Sequence, residues 1–263
     1  MIAPLLTPMT ALDIGARSQA GVAVEVVETT GSTNADLLAR AASLDAPLLL
    51  VARNQTAGRG RAGRSWLSSS EGSLTFSLAW KFDGGVQRLA GLPLAVGVAL
   101  AETLDTLGVQ VGLKWPNDVL RDGDKLAGIL IETQGAPGGG VWTVIGIGLN
   151  LLMPDETEAL LGRSIASLPW LARMDRNALM AALLDGLAGA LREFDGAGFK
   201  AFSARWNRRH AWQGETVVIL DAGKVLHEGA AAGVDDTGRL LLDTHEGRIT
   251  VLAGDVSLRM KAS

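Results

Sequence analysis

Gln55-Thr56-Ala57-Gly58-Arg59-Gly60-Arg61-Ala62-Gly63-Arg64-Ser65-Trp66 packs three glycines and three arginines into the seven residues from Gly58 to Arg64, with no acidic side chain nearby. Glycine lets a backbone take positive φ and come close to a ligand. Arginine offers forked, permanently charged donors that suit carboxylate and phosphate. The apolar run Pro47 to Val51 precedes the cluster and predicts a buried strand that delivers it. The stretch therefore predicts an anion-gripping loop, suited to a polyphosphate or an acyl-phosphate.

Two phosphate motifs share these letters. Gly58-x-Gly60-x-x-Gly63 fits the dinucleotide fingerprint, and Gly58 to Ser65 fits a P-loop with Arg64 in place of lysine. Both need a helix to begin directly after the glycines, because its N-terminus receives the phosphate. After Trp66 come Ser68, Ser69, Ser70 and Gly72, and then Ser73 to Trp80, which alternates like a strand. So short a connection cannot hold a crossover helix. Both motifs are rejected. The loop joins two strands and would hold its anion with arginines and bare backbone amides, as a nest does. A flexible, solvated basic loop is the alternative that these residues alone leave open.

Working outward, Val22 to Val27 predicts a strand, and Gly31-Ser32-Thr33-Asn34 a polar turn into a helix over Ala35 to Ala42. Ser32, Thr33 or Asn34 would cap that helix. Downstream, Leu89 to Leu107 predicts a buried helix, too interrupted by Pro93, Glu102 and Asp105 for a membrane span. Val109 to Trp115 is strand-like and stops at Pro116-Asn117-Asp118. Lys125 to Glu132 and Val141 to Leu152 predict strands about a glycine-rich hairpin loop, Gly135 to Gly140. Gly146 and Gly148 interrupt the second strand, where a backbone or ligand would approach. Helices are expected over Arg176 to Phe194 and Phe199 to Arg208. From Glu215 to Arg259 four or five short strands, with turns at 221–223, 235–238 and 246–247, predict a small SH3-like barrel.

Bulk composition bounds the function. The 263 residues carry a net charge of −4, which gives no global nucleic-acid signature. Hydrophobic content is 48% and cysteine is absent, which removes disulfides, thiol nucleophiles and cysteine–zinc sites. His210, His227 and His245 lack metal spacing and are expected on surfaces or loops. No G-x-S-x-G elbow occurs. Met1 to Ala20 shows no signal-peptide pattern and is expected to be a tail. A soluble, cytoplasmic protein is expected.

Several features each have a bland reading. Ser32-Thr33-Asn34 alone is most often a capped helix start. Lys114-Trp115-Pro116-Asn117-Asp118 is a strand end, and Lys125 at the mouth of an apolar strand is usually a snorkelling edge residue. Asn150 most often bonds local backbone. Their ordered combination is another matter. Gly31 to Asn34, Gln55 to Trp66, Lys114 to Asp118, Lys125 to Leu130 and Gly146-Ile147-Gly148-Leu149-Asn150 together resemble the biotin protein ligases. The match runs from about Val24 to Asn150 and continues more loosely to Arg259.

That resemblance implies an α+β fold: a class II synthetase-like mixed sheet with helices, then the SH3-like barrel. The domains would be a tail at 1–21, a biotin- and ATP-binding catalytic domain at 22–211 and the barrel at 212–263. Biotin's carboxylate would attack the α-phosphate of MgATP, and a lysine of a biotin carboxyl carrier protein would then attack biotinyl-5′-adenylate. It further implies that Ser32, Thr33, Asn34 and Gln55 wall the biotin pocket. Gly58, Arg59, Gly60 and Arg61 would form the lip. Arg61 and Lys125 would offset the charge of two anions brought together, and Arg64 would meet the pyrophosphate end. Trp66 and Asn150 are expected at the adenine. Lys114, Asn117 and Asp118 would serve nucleotide and Mg²⁺, with Gly128 and Gly148 lining the site. No metal cage made of protein alone is expected, so Mg²⁺ would arrive with ATP. The short segment before the first strand implies no DNA-binding domain. Homodimerisation through the catalytic sheet is a family habit for which the letters show no interface. Two rivals are a lipoate or octanoate ligase of the same fold and a non-catalytic nucleic-acid-binding module.

Overall fold

The computed structural model describes residues 8–152, 164–221, 223–254 and 256–261. Seven strands form one mixed sheet in the order β1-β2-β3-β7-β6-β5-β4. They are β1 (Ala23–Thr30), β2 (Leu48–Gln55), β3 (Ser73–Phe82), β4 (Gly112–Lys114), β5 (Asp118–Arg121), β6 (Asp124–Gly135) and β7 (Val141–Asn150). Only β1 and β2 run parallel, joined through α2 (Thr33–Arg40). Every other neighbour is antiparallel.

Side-chain alternation explains why the sheet is covered on both faces. On β2, Leu49 and Val51 enter the large core, while Leu48 and Leu50 pack with Leu37 of α2. Both sets are buried, hence the unbroken apolar run that announces the strand. On β3 and β7 the odd residues Ile145, Ile147 and Leu149 and the even residues Leu74, Phe76 and Leu78 join the large core. The core is closed by α3 (Leu92–Thr106) and α4 (Arg176–Ala197). The opposite face, toward α2, is different: Thr75 and Ser77 on β3 and Gly146 and Gly148 on β7 put small groups there.

The apolar helical stretch Val86–Thr106 is long enough to cross a membrane, but it is mostly buried within the fold. It begins as a short 3₁₀ turn and becomes α3 only at Leu92, with Pro93 in the first turn, where proline is tolerated.

The second sheet holds β8 (Thr216–Asp221), β9 (Lys224–Val234), β10 (Leu240–Thr244), β11 (Gly247–Val251) and β12 (Ser257–Met260). Its order is β11-β10-β9-β8-β12, all antiparallel, with an open rather than a closed ring among the described residues. An open sheet this small is still compatible with the SH3-like description. It is tied to the first by α5 (Lys200–Asn207) and the segment after it. There Leu113 N–H donates to Arg209 O (2.7 Å) and Ala211 N–H to Leu113 O (2.9 Å). Trp115, fully buried, donates its indole N–H to Gly238 O (3.1 Å).

Several expectations need correction. Within the expected tail, Ala11–Arg17 forms α1, capped by Thr10, with Ile14 fully buried against the core. Fully buried Asn177 of α4 accepts from Thr10 N–H (2.9 Å). Residues 1–7 of that tail lie outside the described residues, as does Ala222 of the 221–223 turn. The α2 helix starts at Thr33, because Ser32 takes the cap and accepts from Ala35 N–H (3.5 Å). The strand read over Val109 to Trp115 does stop before Pro116-Asn117-Asp118, but Asp118 begins a further strand that the sequence reading lacks. That strand is β5, and Asp122-Gly123, both at positive φ, turn the chain straight into β6. Such a pair is a strong hairpin signal. His210 is buried rather than exposed, stacked 4.8 Å from the Trp206 ring, and burial lowers its pKa.

Candidate active site

A cavity of about 470 Å³ lies on the α2 face of the seven-stranded sheet. Strand register explains why it exists. In an antiparallel pair, directly opposed residues share a face. One row across the sheet reads Thr75, Gly148, Gly128, Asp118, Lys114, and the next reads Ser77, Gly146, Leu130. The rows are two residues apart, roughly 7 Å. Glycine at three of these positions leaves a hollow where side chains would stand. A Cβ on Gly146 would overlap the Asn34 amide, and one on Gly148 would overlap the Trp66 indole. The hollow therefore has two ends, one facing Asn34 and one facing Trp66.

The Asn34 end is polar and dry. Ser32, Thr33, Asn34 and Ser77 are all buried. Ser77 Oγ donates to Asn34 Oδ1 (2.6 Å) and lies 2.6 Å from Thr33 Oγ1. Gln55 Oε1 accepts from Thr33 N–H (2.8 Å). Asn34 Nδ2 donates to Glu132 Oε2 (2.9 Å). Sequence reasoning names three of these groups and Gln55. It misses Ser77, which is one of several alternating polar residues on β3, and Glu132.

The arginine loop crosses above. It is a tight hairpin, not the open nest the glycines suggest. Trp66 N–H donates to Gly58 O (2.9 Å) and Gly60 N–H to Arg64 O (2.6 Å). The tip, Arg61 to Arg64, carries Ala62 at φ 52° and Gly63 at φ 69°, the signs of a type I′ turn. Gly58 is needed for the crossing, since a Cβ there would come within 2.5 Å of Trp66 O. Arg59 pairs with Glu132 at 2.6 Å. Arg61 donates to Asn117 Oδ1 (3.0 Å) and to Gly254 O, which brings the second sheet to the rim. Arg259 of β12 lines the same cavity, and no sequence motif names it.

At the Trp66 end, the indole lies on the Gly128–Gly148 row, with its buried Nε1–H unpartnered among protein groups and Lys125 Nζ 5.7 Å from the ring. Asp118 takes two lysines, Lys125 at 2.5 Å and Lys114 at 3.6 Å. Burial holds the Lys114 pKa down to about 8, with Asp118 opposing the shift. Lys114 Nζ also sits 4.5 Å over the Trp212 ring.

Most of the expected residues converge on the one cavity: Ser32, Thr33, Asn34, Gln55, Arg59, Gly60, Arg61, Arg64, Trp66, Asn117, Asp118, Lys125, Gly128 and Gly148 all line it. Three stand outside. Gly58 faces the far side of the loop. Lys114 lies beneath Asp118. Asn150, expected at the adenine, is buried and donates its Nδ2–H to Lys125 O (3.2 Å) at the start of β6. The lining carries five cationic side chains (Arg59, Arg61, Arg64, Lys125, Arg259) against one carboxylate, Asp118. A concave site with that balance concentrates anions. Among the described residues no three carboxylate, histidine or cysteine groups cluster for a metal. Asp118 and Asn117 alone suit a cation that arrives on a phosphate.

Residues 24–150 match the model of the biotin/lipoate A/B protein ligase family, and 214–259 match that of the biotin protein ligase C-terminal domain. The chain is 38% identical to the biotin–[acetyl-CoA-carboxylase] ligase of Mycobacterium tuberculosis, covering 89% of this chain and 88% of that one. It is 35% identical to the bifunctional ligase/repressor of Escherichia coli, covering 91% and 75%. A biotin protein ligase from Aquifex aeolicus in complex with biotin and ATP superposes with a TM-score of 0.77 at 30% identity, covering 90% and 99%. On the strength of these likenesses and the cavity they share a fold around, the chain belongs to the biotin protein ligase family.

Proposed function

We infer that this chain is an ATP-dependent ligase that activates biotin as biotinyl-5′-adenylate and transfers it to a lysine of a biotin carboxyl carrier protein. The observation that carries this is one hollow with a buried polar wall at one end and a cationic rim at the other. An uncharged ureido ring needs paired donors and acceptors. Thr33, Asn34 and Ser77 supply them out of water, where each counts most. A plain acyl chain would offer this polar wall no donor or acceptor of its own. That favours biotin over lipoate or octanoate.

In the first step a biotin carboxylate oxygen bonds to the α-phosphorus as the bond to the pyrophosphate oxygen breaks. Two anions must meet, so the barrier is largely electrostatic. Arg61 and Lys125 stand where their charges offset it. Arg61 is held by Asn117, and Lys125 by Asp118, so neither must be organised at the moment of reaction. Arg64 reaches toward the departing pyrophosphate, and Trp66 offers a flat surface to the base. Mg²⁺, riding on ATP near Asn117 and Asp118, would neutralise phosphate charge. In the second step the carrier amine attacks the acyl carbon and AMP leaves.

A carrier domain is the acceptor in this account, and ATP-driven chemistry fits the cytoplasm. Homodimerisation through the sheet edge at β1, which is paired on one side only, is part of the proposal and is checked by sedimentation. Biotin-dependent exchange of labelled pyrophosphate into ATP tests the activation step. Exchange that needs biotin supports it. Exchange with octanoate or lipoate but not biotin gives the acid to the rival ligase.

A further inference from the structure

Glu132 lies just outside the cavity wall and has no part in the chemistry described above. It sits on β6, on the same face as Gly128 and Leu130, between the buried Asn34 amide and the arginine hairpin. Its Oε2 accepts from Asn34 Nδ2 (2.9 Å), and both its oxygens accept from one Arg59 Nη (2.8 and 2.6 Å). Its side chain is about a quarter exposed, while Asn34 is 3% exposed.

An ionised carboxylate only accepts hydrogen bonds. Glu132, at the shorter distance, and Leu130 O, at 3.3 Å, together hold the Asn34 amide with its NH₂ outward and its oxygen inward. Asn34 Oδ1 then accepts a hydrogen bond from the Ser77 hydroxyl, and Ser77 accepts one from the Thr33 hydroxyl, which also faces Gln55 Oε1 at 3.1 Å. Two hydroxyl protons serve the two short contacts of 2.6 Å in one direction, Thr33 to Ser77 to Asn34. The donor and acceptor pattern of the pocket wall is thus set in part by a group that does not line the cavity. The same carboxylate grips Arg59, so the hairpin above the pocket is fastened to the amide below it.

We propose that Glu132 is a positioning residue that fixes the hydrogen-bond polarity of the biotin pocket and latches the arginine hairpin over it. This rests on the assignment of the Asn34 end to biotin. Charge-assisted hydrogen bonds of this kind are strong enough that losing one changes an equilibrium roughly 10- to 100-fold.

The test compares the wild-type chain with Glu132→Gln, Arg59→Met and the double variant. A glutamine can donate as well as accept, so only the longer bond to Leu130 O still orients the Asn34 amide. The expected result is a KM for biotin about 10- to 100-fold higher in Glu132→Gln, an unchanged KM for ATP and an unchanged melting temperature. Arg59→Met loses the latch alone and shows a smaller rise, and the double variant is no worse than Glu132→Gln. An unchanged biotin KM, or a rise in both KM values with a lowered melting temperature, overturns the proposal. Amide exchange in the ligand-free protein gives a readout independent of biotin: residues 58–66 exchange faster in Glu132→Gln, and equal exchange overturns the latch. Faster exchange in Glu132→Gln, together with a wild-type chain that binds no biotin, supports the latch and sinks only the ligand assignment.

Discussion

Two glycines on β7, two residues apart, give the cavity its two ends. Gly146 makes room for Asn34 and Gly148 for Trp66. Gly146→Ala is expected to weaken biotin binding by roughly tenfold or more, by displacing a buried hydrogen-bonded amide, with ATP binding intact. Gly148→Ala should do the reverse. Isothermal titration with each ligand separates them, and equal losses of both from either variant would contradict the two-ended site. Lys114 allows a pH prediction. Its amine titrates near 8 in the fold and at 10.5 when free. Below about 8 it is charged in both states, and burial of that charge costs stability. Between those values the unfolded chain binds more protons, so stability rises with pH. Urea unfolding between pH 7 and 10.5 should show wild type gaining on Lys114→Met as the pH climbs, and parallel curves would refute the buried charge. Arg61→Gly removes a cation from the cavity rim, where the proposed function puts the reacting anions. We expect it to form adenylate but release it roughly 10–100-fold faster, which a trapping assay reads directly.

At the scale of elements, the arginine hairpin is the part expected to change most on binding. Its tip residues Ala62, Gly63, Arg64 and Ser65 are exposed, and it carries few apolar contacts. Hydrogen–deuterium exchange over 59–64 should slow when biotinyl-adenylate is bound, because an ordered hairpin would shield the anhydride from water. Equal exchange with and without it would rule that out. The hairpin was legible as a strand-to-strand loop because six residues leave no room for a helix. Its type I′ tip was not, since Ala62 is an unusual residue for a left-handed position. The long strands and α3, α4 and α5 were visible in apolar runs. The helix α1 was not, because seven residues with one buried anchor, Ile14, give no periodicity to read. The hollow itself was half visible: Gly146 and Gly148 flagged a close approach, but that Ser77, Gly128 and Asp118 lie in register beside them is a fact of strand pairing that no local pattern holds. Glu132 and Arg259 escaped for the same reason. Each reaches the site through another strand or another sheet.

Over the whole molecule, the second sheet completes the site. Gly254 O holds Arg61, Arg259 lines the cavity, and Trp212 covers Lys114. The buried Trp115, bonded to Gly238 O, ties the two sheets one residue from Lys114. Replacing it with alanine should cost about 3–5 kcal/mol of stability and lower ATP use more than biotin binding, since Trp115 adjoins Lys114 at the end proposed for the nucleotide. Unfolding and ligand titration on the same sample would check both. The central claim is the transfer itself, and the mass of a carrier-domain fragment incubated with the chain, biotin and MgATP tests it most directly. The account predicts a gain of one biotin that requires ATP and disappears in Lys125→Met. A carrier that stays unmodified with biotin, or a lipoyl domain that gains octanoate or lipoate instead, would contradict it.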